Sequence, residues 1–161
     1  MVNLLQLLPK ELYIFLISMV PIIELRGAIP LGVGLGIPWL QNYLISVVGN
    51  FLPVPFILLF IRRIIRWMST NRYLSKISNW LENKFQKKSS SVMKYATFGL
   101  LLFVAVPLPG TGAWTGALIA AMLNMRYKYA LPSIFAGVVI AGALVTAISC
   151  GFLSFLEIFI K

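Results

Sequence analysis

The sequence predicts an all-α integral membrane protein, built as an inverted repeat of two re-entrant helical hairpins and two transmembrane crossings, plus a cytoplasmic amphipathic helix. The chain is 60% apolar and 11% charged, with a mean hydropathy of +0.91, whereas soluble domains are about 25% charged. Two uncharged segments are long enough to cross a bilayer. Two shorter apolar segments are interrupted by proline and glycine, which favours hairpins. We therefore predict a single membrane domain over 1–161, with repeat 1 at 1–61, a basic connector at 62–92 and repeat 2 at 93–161.

The first broken apolar segment covers residues 11–36. Read as one helix, it would contain Pro21, Glu24, Arg26 and Pro30. Proline breaks helices, and a charged side chain at membrane depth is costly and needs a partner. We predict a re-entrant hairpin, with half-helices on either side of a loop near 22–28. A single kinked span is the alternative.

The first full crossing is predicted over Trp39 to Ile61, an uncharged run that can span a bilayer with some tilt. Asn50, Pro53 and Pro55 interrupt its middle, which predicts a kink. Asn50 could place its amide toward a site in the bundle interior. A simple hydrogen bond between helices is the alternative role for that amide.

A basic connector follows the first crossing. The spacing of its apolar residues over 74–85 predicts an amphipathic helix on a membrane surface. Under the positive-inside rule the 62–94 loop is cytoplasmic. We expect no nucleic-acid binding here, because the segment stands beside so much membrane sequence. Its bases are Arg62, Arg63, Arg66, Arg72, Lys76, Lys84, Lys87, Lys88 and Lys94.

The second repeat begins with a short apolar arm, Val92 to Val106, which the stretch Pro107 to Gly116 interrupts. With the returning arm Ala117 to Met125, the simplest topology is a second re-entrant hairpin. A long crossing then starts near Leu131. It carries small residues four apart, at Gly137, Ala141, Ala143, Ala147 and Gly151. This spacing predicts helix packing and makes a homodimer possible.

The two halves repeat one order of features: a short apolar arm, a break, a returning arm and a crossing. Pro21 pairs with Pro107 in this alignment, and Gly27 with Gly112. Each half makes one net crossing, so the halves have opposite orientation. Interrupted helices at matching places of inverted repeats indicate a transporter site near the midplane, where we expect the two hairpin tips to meet.

Enzymatic chemistry is not expected. The chain has no His and no Asp, which excludes Ser-His-Asp hydrolysis, histidine phosphatase chemistry, HExxH zinc sites and histidine proton relays. Cys150 lies in an apolar run and is interpreted as a packing residue. We predict no metal site and no cofactor. The acids are Glu11, Glu24, Glu82 and Glu157.

Two motifs, Pro21 to Pro30 and Pro107 to Gly116, resemble those of the bacterial small multidrug export protein family, which is related to the DedA (SNARE-associated, VTT) membrane proteins. The resemblance covers nearly the whole chain. It implies re-entrant hairpins in an inverted repeat in the bacterial plasma membrane, and the family name implies drug export. The DedA-like group implies flipping of polyprenyl-phosphate lipid carriers, coupled to ion gradients. Unlike DedA proteins, the second motif here carries no arginine.

Three functional hypotheses follow. The first is a DedA-like flippase for an anionic amphiphile of the polyprenyl-phosphate type, with Arg26 holding the phosphate and half-helix N-termini adding donors. Glu24 is then the candidate proton carrier. The second is a proton-coupled small multidrug exporter that uses Glu24, and the third is a non-transport membrane scaffold. In the structural alternative, the two charges neutralise each other or cap hairpin ends and only hold the fold.

The expected partners are the lipid bilayer and either an anionic lipid or a hydrophobic small molecule. The predicted substrate-binding residues all belong to the two motifs or to the first crossing. They are Glu24, Arg26, Gly27, Pro30, Asn50, Pro107, Pro109, Gly110, Thr111, Gly112, Trp114 and Thr115.

Overall fold

A computed structural model describes residues 9–70, 90–108 and 110–160, and within these residues the chain is all helical. The amphipathic helix predicted over 74–85 lies outside the described residues. The helices are α1 (Lys10–Ser18), α2 (Glu24–Gly34), α3 (Trp39–Phe51), α4 (Pro53–Thr70), α5 (Ser90–Ala105), α6 (Ala113–Met122) and α7 (Tyr127–Ile160).

Helices α1 and α2 form a helical hairpin with a short turn. They pack against each other, which favours the hairpin over a single kinked span. The two helices have 9 and 11 residues, about 14–17 Å at 1.5 Å per residue, so neither spans a hydrocarbon core of about 30 Å alone. The loop predicted near 22–28 is wrong for residues 24–28. Helical bonding resumes at once, since the Gly27 N–H donates to the Ile23 carbonyl at 3.0 Å.

Helices α3 and α4 carry the first predicted crossing. Trp39–Ile61 has 23 residues and a mean hydropathy of 2.3, so its length and composition suit a membrane span. The helix is interrupted at Leu52, directly before Pro53. Proline is tolerated in the first turn of a helix, so α4 can begin directly at Pro53. Helix α4 then continues to Thr70, beyond the predicted crossing.

The second half repeats this order with α5, a loop, α6 and the long helix α7. Helix α6 begins at Ala113, so only the first part of the predicted Pro107–Gly116 break is non-helical. Helix α7 begins at Tyr127, earlier than the predicted start near Leu131. Its apolar part, Tyr127–Gly151, has 25 residues and a mean hydropathy of 2.2, again suited to a span.

The returning arms α2 and α6 end in the same backbone motif. The chain leaves α2 through Gly36, with φ +75°, and leaves α6 through Asn124, with φ +50°. In both cases the next residue donates its N–H to the carbonyl five positions earlier, at 3.0 Å. This is a Schellman ending, which needs a residue that tolerates positive φ. Trp39 and Tyr127 begin the long helices at equal distances beyond it.

These shared helix ends change the predicted alignment of the two halves. When the two halves are aligned at Gly36 and Asn124, Gly112 corresponds to Glu24 rather than to Gly27. Residue identity is a poor guide to this pairing, because glycine and asparagine serve the same positive-φ position.

Each returning arm packs against the long helix of the other half. Helix α2 contacts α7, α6 contacts α4, and α3 contacts α7. Gly137 packs on the Val104 side chain, and Ala141 is buried. These two small residues therefore serve contacts within the chain, and the homodimer stays a prediction.

Candidate functional site

Glu24 opens α2 in a strained conformation. Its φ is +50°, in the left-handed region that few residues other than glycine and asparagine adopt. The carboxylate residue is nevertheless buried, with 5% of its surface exposed. Such strain persists only where the surrounding structure imposes it, and it clusters at functional sites.

The Glu24 carboxylate lies at the N-terminus of α6, in the other half of the protein. Its Oε1 accepts a long hydrogen bond from the Trp114 backbone N–H at 3.4 Å. It lies so close to Gly112 that a Cβ at that position would overlap the carboxylate. Helix N-termini carry unpaired N–H groups and a partial positive charge, so an acid from the first half caps the second returning arm.

Arg26 reaches the other end of the same break, just beyond the C-terminus of α5. Its guanidinium donates to the carbonyls of Leu108 and Val106, the latter at 3.1 Å, and to Thr111 Oγ1 at 3.0 Å. The Thr111 hydroxyl itself lies 2.7 Å from the Val106 carbonyl and 2.9 Å from that of Leu108. A guanidinium with five fixed donors suits such a cluster of acceptors, and its charge complements a helix C-terminus.

A third contact runs from a side chain of the second half to the backbone of the first. The Trp114 indole Nε1 donates to the Met19 carbonyl at 3.2 Å, in the turn between α1 and α2. The two hairpin tips are thus interlocked by side chains from both halves. The prediction that the tips meet is consistent with these contacts, and so is the structural alternative in which the two charges cap hairpin ends.

A narrow crevice runs between the two tips and the long helices. It is too small to hold a water-sized sphere, so the site is closed in this structure. Asn50, 1% exposed, contributes an amide whose Oδ1 has no hydrogen-bond partner. The crevice is lined by Glu24, Leu25, Arg26, Asn50, Val104, Gly112, Ala113, Val138 and Ala141.

The structure brings six of the predicted site residues together. Glu24, Arg26, Asn50 and Gly112 line the crevice, while Thr111 and Trp114 bond to its charged groups. The remaining predicted residues are Gly27, Pro30, Pro107, Pro109, Gly110 and Thr115.

These remaining residues have other surroundings. Pro30 is exposed on α2, and Gly110 is exposed with φ +86°. Gly27 packs on the Ile23 side chain, and Thr115 bonds back to the Gly112 carbonyl at 3.1 Å. Pro107 separates the two residues whose carbonyls accept from Arg26. Pro109 lies outside the described residues.

Sequence reasoning missed two buried polar residues on α3, Asn42 and Ser46. Both are 0% exposed. The signal was their spacing: with Asn50 they recur every fourth residue, which places three polar groups on one helix face. Within the described residues no group of three or more His, Cys, Asp or Glu side chains could hold a metal ion.

A comparison with protein families matches residues 24–144, from Glu24 to about the middle of α7, to the small multi-drug export protein family. The chain belongs to this family. Its members are membrane proteins, in agreement with the two apolar helices that suit a span. The family name describes an expected activity, and a relationship to DedA proteins stays a prediction. No curated protein and no solved structure matches the chain.

Proposed function

We propose that the protein is a proton-coupled exporter of hydrophobic cations, with its substrate site at the crevice between the two hairpin tips and Glu24 as the coupling acid. One observation carries the proposal. The Glu24 carboxylate is buried between the two halves, while the guanidinium of Arg26 is already bound to loop oxygens. The family name supports export.

The hydrogen bonds of Glu24 and Arg26 differ in a way that favours Glu24 as the coupling group. A carboxylate has about four acceptor positions, and among the described residues the bond that Glu24 accepts is long, at 3.4 Å. Arg26 has three acceptors from one loop. Glu24 therefore keeps the capacity to bind either a proton or a cationic substrate, and competition between the two for one carboxylate couples their movements in opposite directions.

We further propose that the two hairpins are re-entrant and that the halves have inverted orientation. The matching element order, the shared helix ends and the exchange of returning arms between halves support this arrangement. In it the basic 62–94 loop is cytoplasmic, in a multi-pass protein of the bacterial plasma membrane. Opening the crevice requires release of the Arg26 or Trp114 contacts, which hold the two tips together.

The test is ethidium uptake into proteoliposomes with an acidic lumen. Ethidium is a hydrophobic cation whose accumulation is followed by fluorescence. Wild-type protein should accumulate it, and Glu24→Gln, which removes the exchangeable charge, should not. Glu11→Gln is the matched control, because Glu11 lies in the first turn of α1, outside the crevice. Wild-type uptake by Glu24→Gln overturns the proposal.

A second candidate substrate, an anionic amphiphile such as a polyprenyl phosphate, is favoured by Arg26. Its guanidinium is held by carbonyl and hydroxyl oxygens of the loop between α5 and α6, and exchanging the loop carbonyls for phosphate oxygens would give it stronger partners. In the same proteoliposomes, translocation of a fluorescent polyprenyl phosphate is measured for wild type and Arg26→Ala. Translocation that depends on Arg26, without ethidium uptake, would favour the flippase over the exporter.

A further inference from the structure

One face of α3 carries three buried oxygens without hydrogen-bond partners. Asn42, Ser46 and Asn50 are 0%, 0% and 1% exposed. Asn42 Oδ1, Ser46 Oγ and Asn50 Oδ1 have no partner. Buried polar atoms are almost always paired, and the few exceptions call for an explanation such as a bound water molecule or a functional role. The three oxygens lie one helical turn apart and form a row along α3.

The row faces α2 and leads to Glu24. At one end, Asn42 Nδ2 donates to the Ile29 carbonyl of α2 at 2.7 Å, and a Cβ on Gly32 would overlap the Asn42 amide. At the other end, Asn50 lines the crevice together with Glu24. Eight residues of helix cover about 12 Å, so the row connects the α2–α3 turn with the crevice.

In the described residues of the second half, α7 has no such row at the matching positions. When α3 and α7 are aligned at their first residues, Asn42, Ser46 and Asn50 correspond to apolar residues of α7. These are Ala130, Ile134 and Val138, each 0% exposed. The polar face therefore approaches the crevice from one half only, as a one-sided access route requires.

We propose that this row is the path by which protons reach Glu24, carried by water molecules that the three oxygens bind. The proposal rests on Glu24 being the coupling acid of the proposed function. Each oxygen accepts a hydrogen bond from a water molecule. Once the contacts between the tips release and the crevice admits water, a hydronium ion there gives up one proton, an O–H bond forms on the Glu24 carboxylate, and a neutral water remains.

Glu24 is the only carboxylate among the described residues that line the crevice, so it is the group that takes the proton. On its own helix Arg26 is the charged neighbour in the crevice, and from α6 the Trp114 N–H faces the carboxylate. The crevice residues contributed by α3, α5 and α7 are uncharged; they are Asn50, Val104, Val138 and Ala141.

The test measures proton uptake by the full-length protein in liposomes that contain a lumenal pH probe, driven by an acidic external buffer, with and without ethidium in the lumen. Ser46→Ala and Asn50→Leu remove oxygens from the row without adding side-chain heavy atoms. Both should lose proton uptake, whereas the thermal midpoint of Ser46→Ala should not fall, because it deletes an unpaired buried polar atom.

Ser133→Ala is the matched control, since the Ser133 hydroxyl is also buried but bonds to the Tyr129 carbonyl at 2.8 Å. It should keep wild-type uptake. Wild-type uptake by both Ser46→Ala and Asn50→Leu overturns the path, and so does wild-type protein that takes up no protons. If uptake depends on Ser46 but ethidium does not move, the path stands and the proposed substrate fails.

Discussion

Replacing Gly112 by alanine tests the contact between the two hairpin tips. The added Cβ would overlap the Glu24 carboxylate, whose atoms are its three nearest neighbours. The backbone at Gly112 has φ −85° and ψ −166°, which alanine adopts without strain, so the effect falls on Glu24. The carboxylate must turn away and lose its 3.4 Å bond from Trp114. Local overpacking and the lost bond together cost about 1–3 kcal/mol.

We expect Gly112→Ala to fold, with a thermal midpoint in detergent that falls by about 2–4 °C per kcal/mol lost. Proton-driven ethidium uptake should fall to the level of protein-free liposomes, because the coupling carboxylate has left its place. The matched control is Gly99→Ala on α5, where a Cβ meets nothing within 4 Å. Wild-type ethidium uptake by Gly112→Ala would refute the assignment of this contact to transport.

Four further substitutions make separate predictions, each measured as the thermal midpoint in detergent. Arg26→Ala removes a charged donor with three acceptors and should destabilise the fold by about 3 kcal/mol; an unchanged midpoint would show that its bonds do not hold the tips. Glu24→Gly relieves the positive φ and should raise the midpoint by the equivalent of about 1 kcal/mol, while ethidium uptake is lost. Gly49→Ala places a Cβ 2.7 Å from the Phe15 carbonyl, where backbone cannot yield, and should cost about 1–3 kcal/mol. Gly99→Ala should stabilise by about 0.5–1 kcal/mol, because the helix gains alanine without a clash.

The membrane-spanning helices were the most predictable part of the fold. A span needs only length and the absence of charge, and both can be read from the sequence at Trp39–Ile61 and Tyr127–Gly151. The helix boundaries near the breaks were less predictable. At Glu24 and Ala113 the chain resumes helical bonding sooner than its prolines and glycines predict, since a helix can start wherever its first N–H groups find acceptors.

Several residues that meet between the hairpin tips can be selected from the sequence, but their arrangement cannot. The cost of charge at membrane depth selected Glu24 and Arg26, and an amide in an apolar run selected Asn50. No local pattern pairs Glu24 with Gly112 or Arg26 with Thr111, because these contacts join residues far apart in sequence. The positive φ of Glu24 is equally invisible to a pattern of residue types.

Hydropathy, charge and proline act locally along the chain, so the residues alone predict a helical membrane protein with two broken segments and one motif that sets an acid close to a base. The contacts between helices place the acid at the cap of α6 and Arg26 at the end of α5. They also place Asn42 against α2, and Asn50 in the crevice with Glu24. In an apolar medium, the packing of whole helices decides which unpaired polar groups come within hydrogen-bond distance of each other.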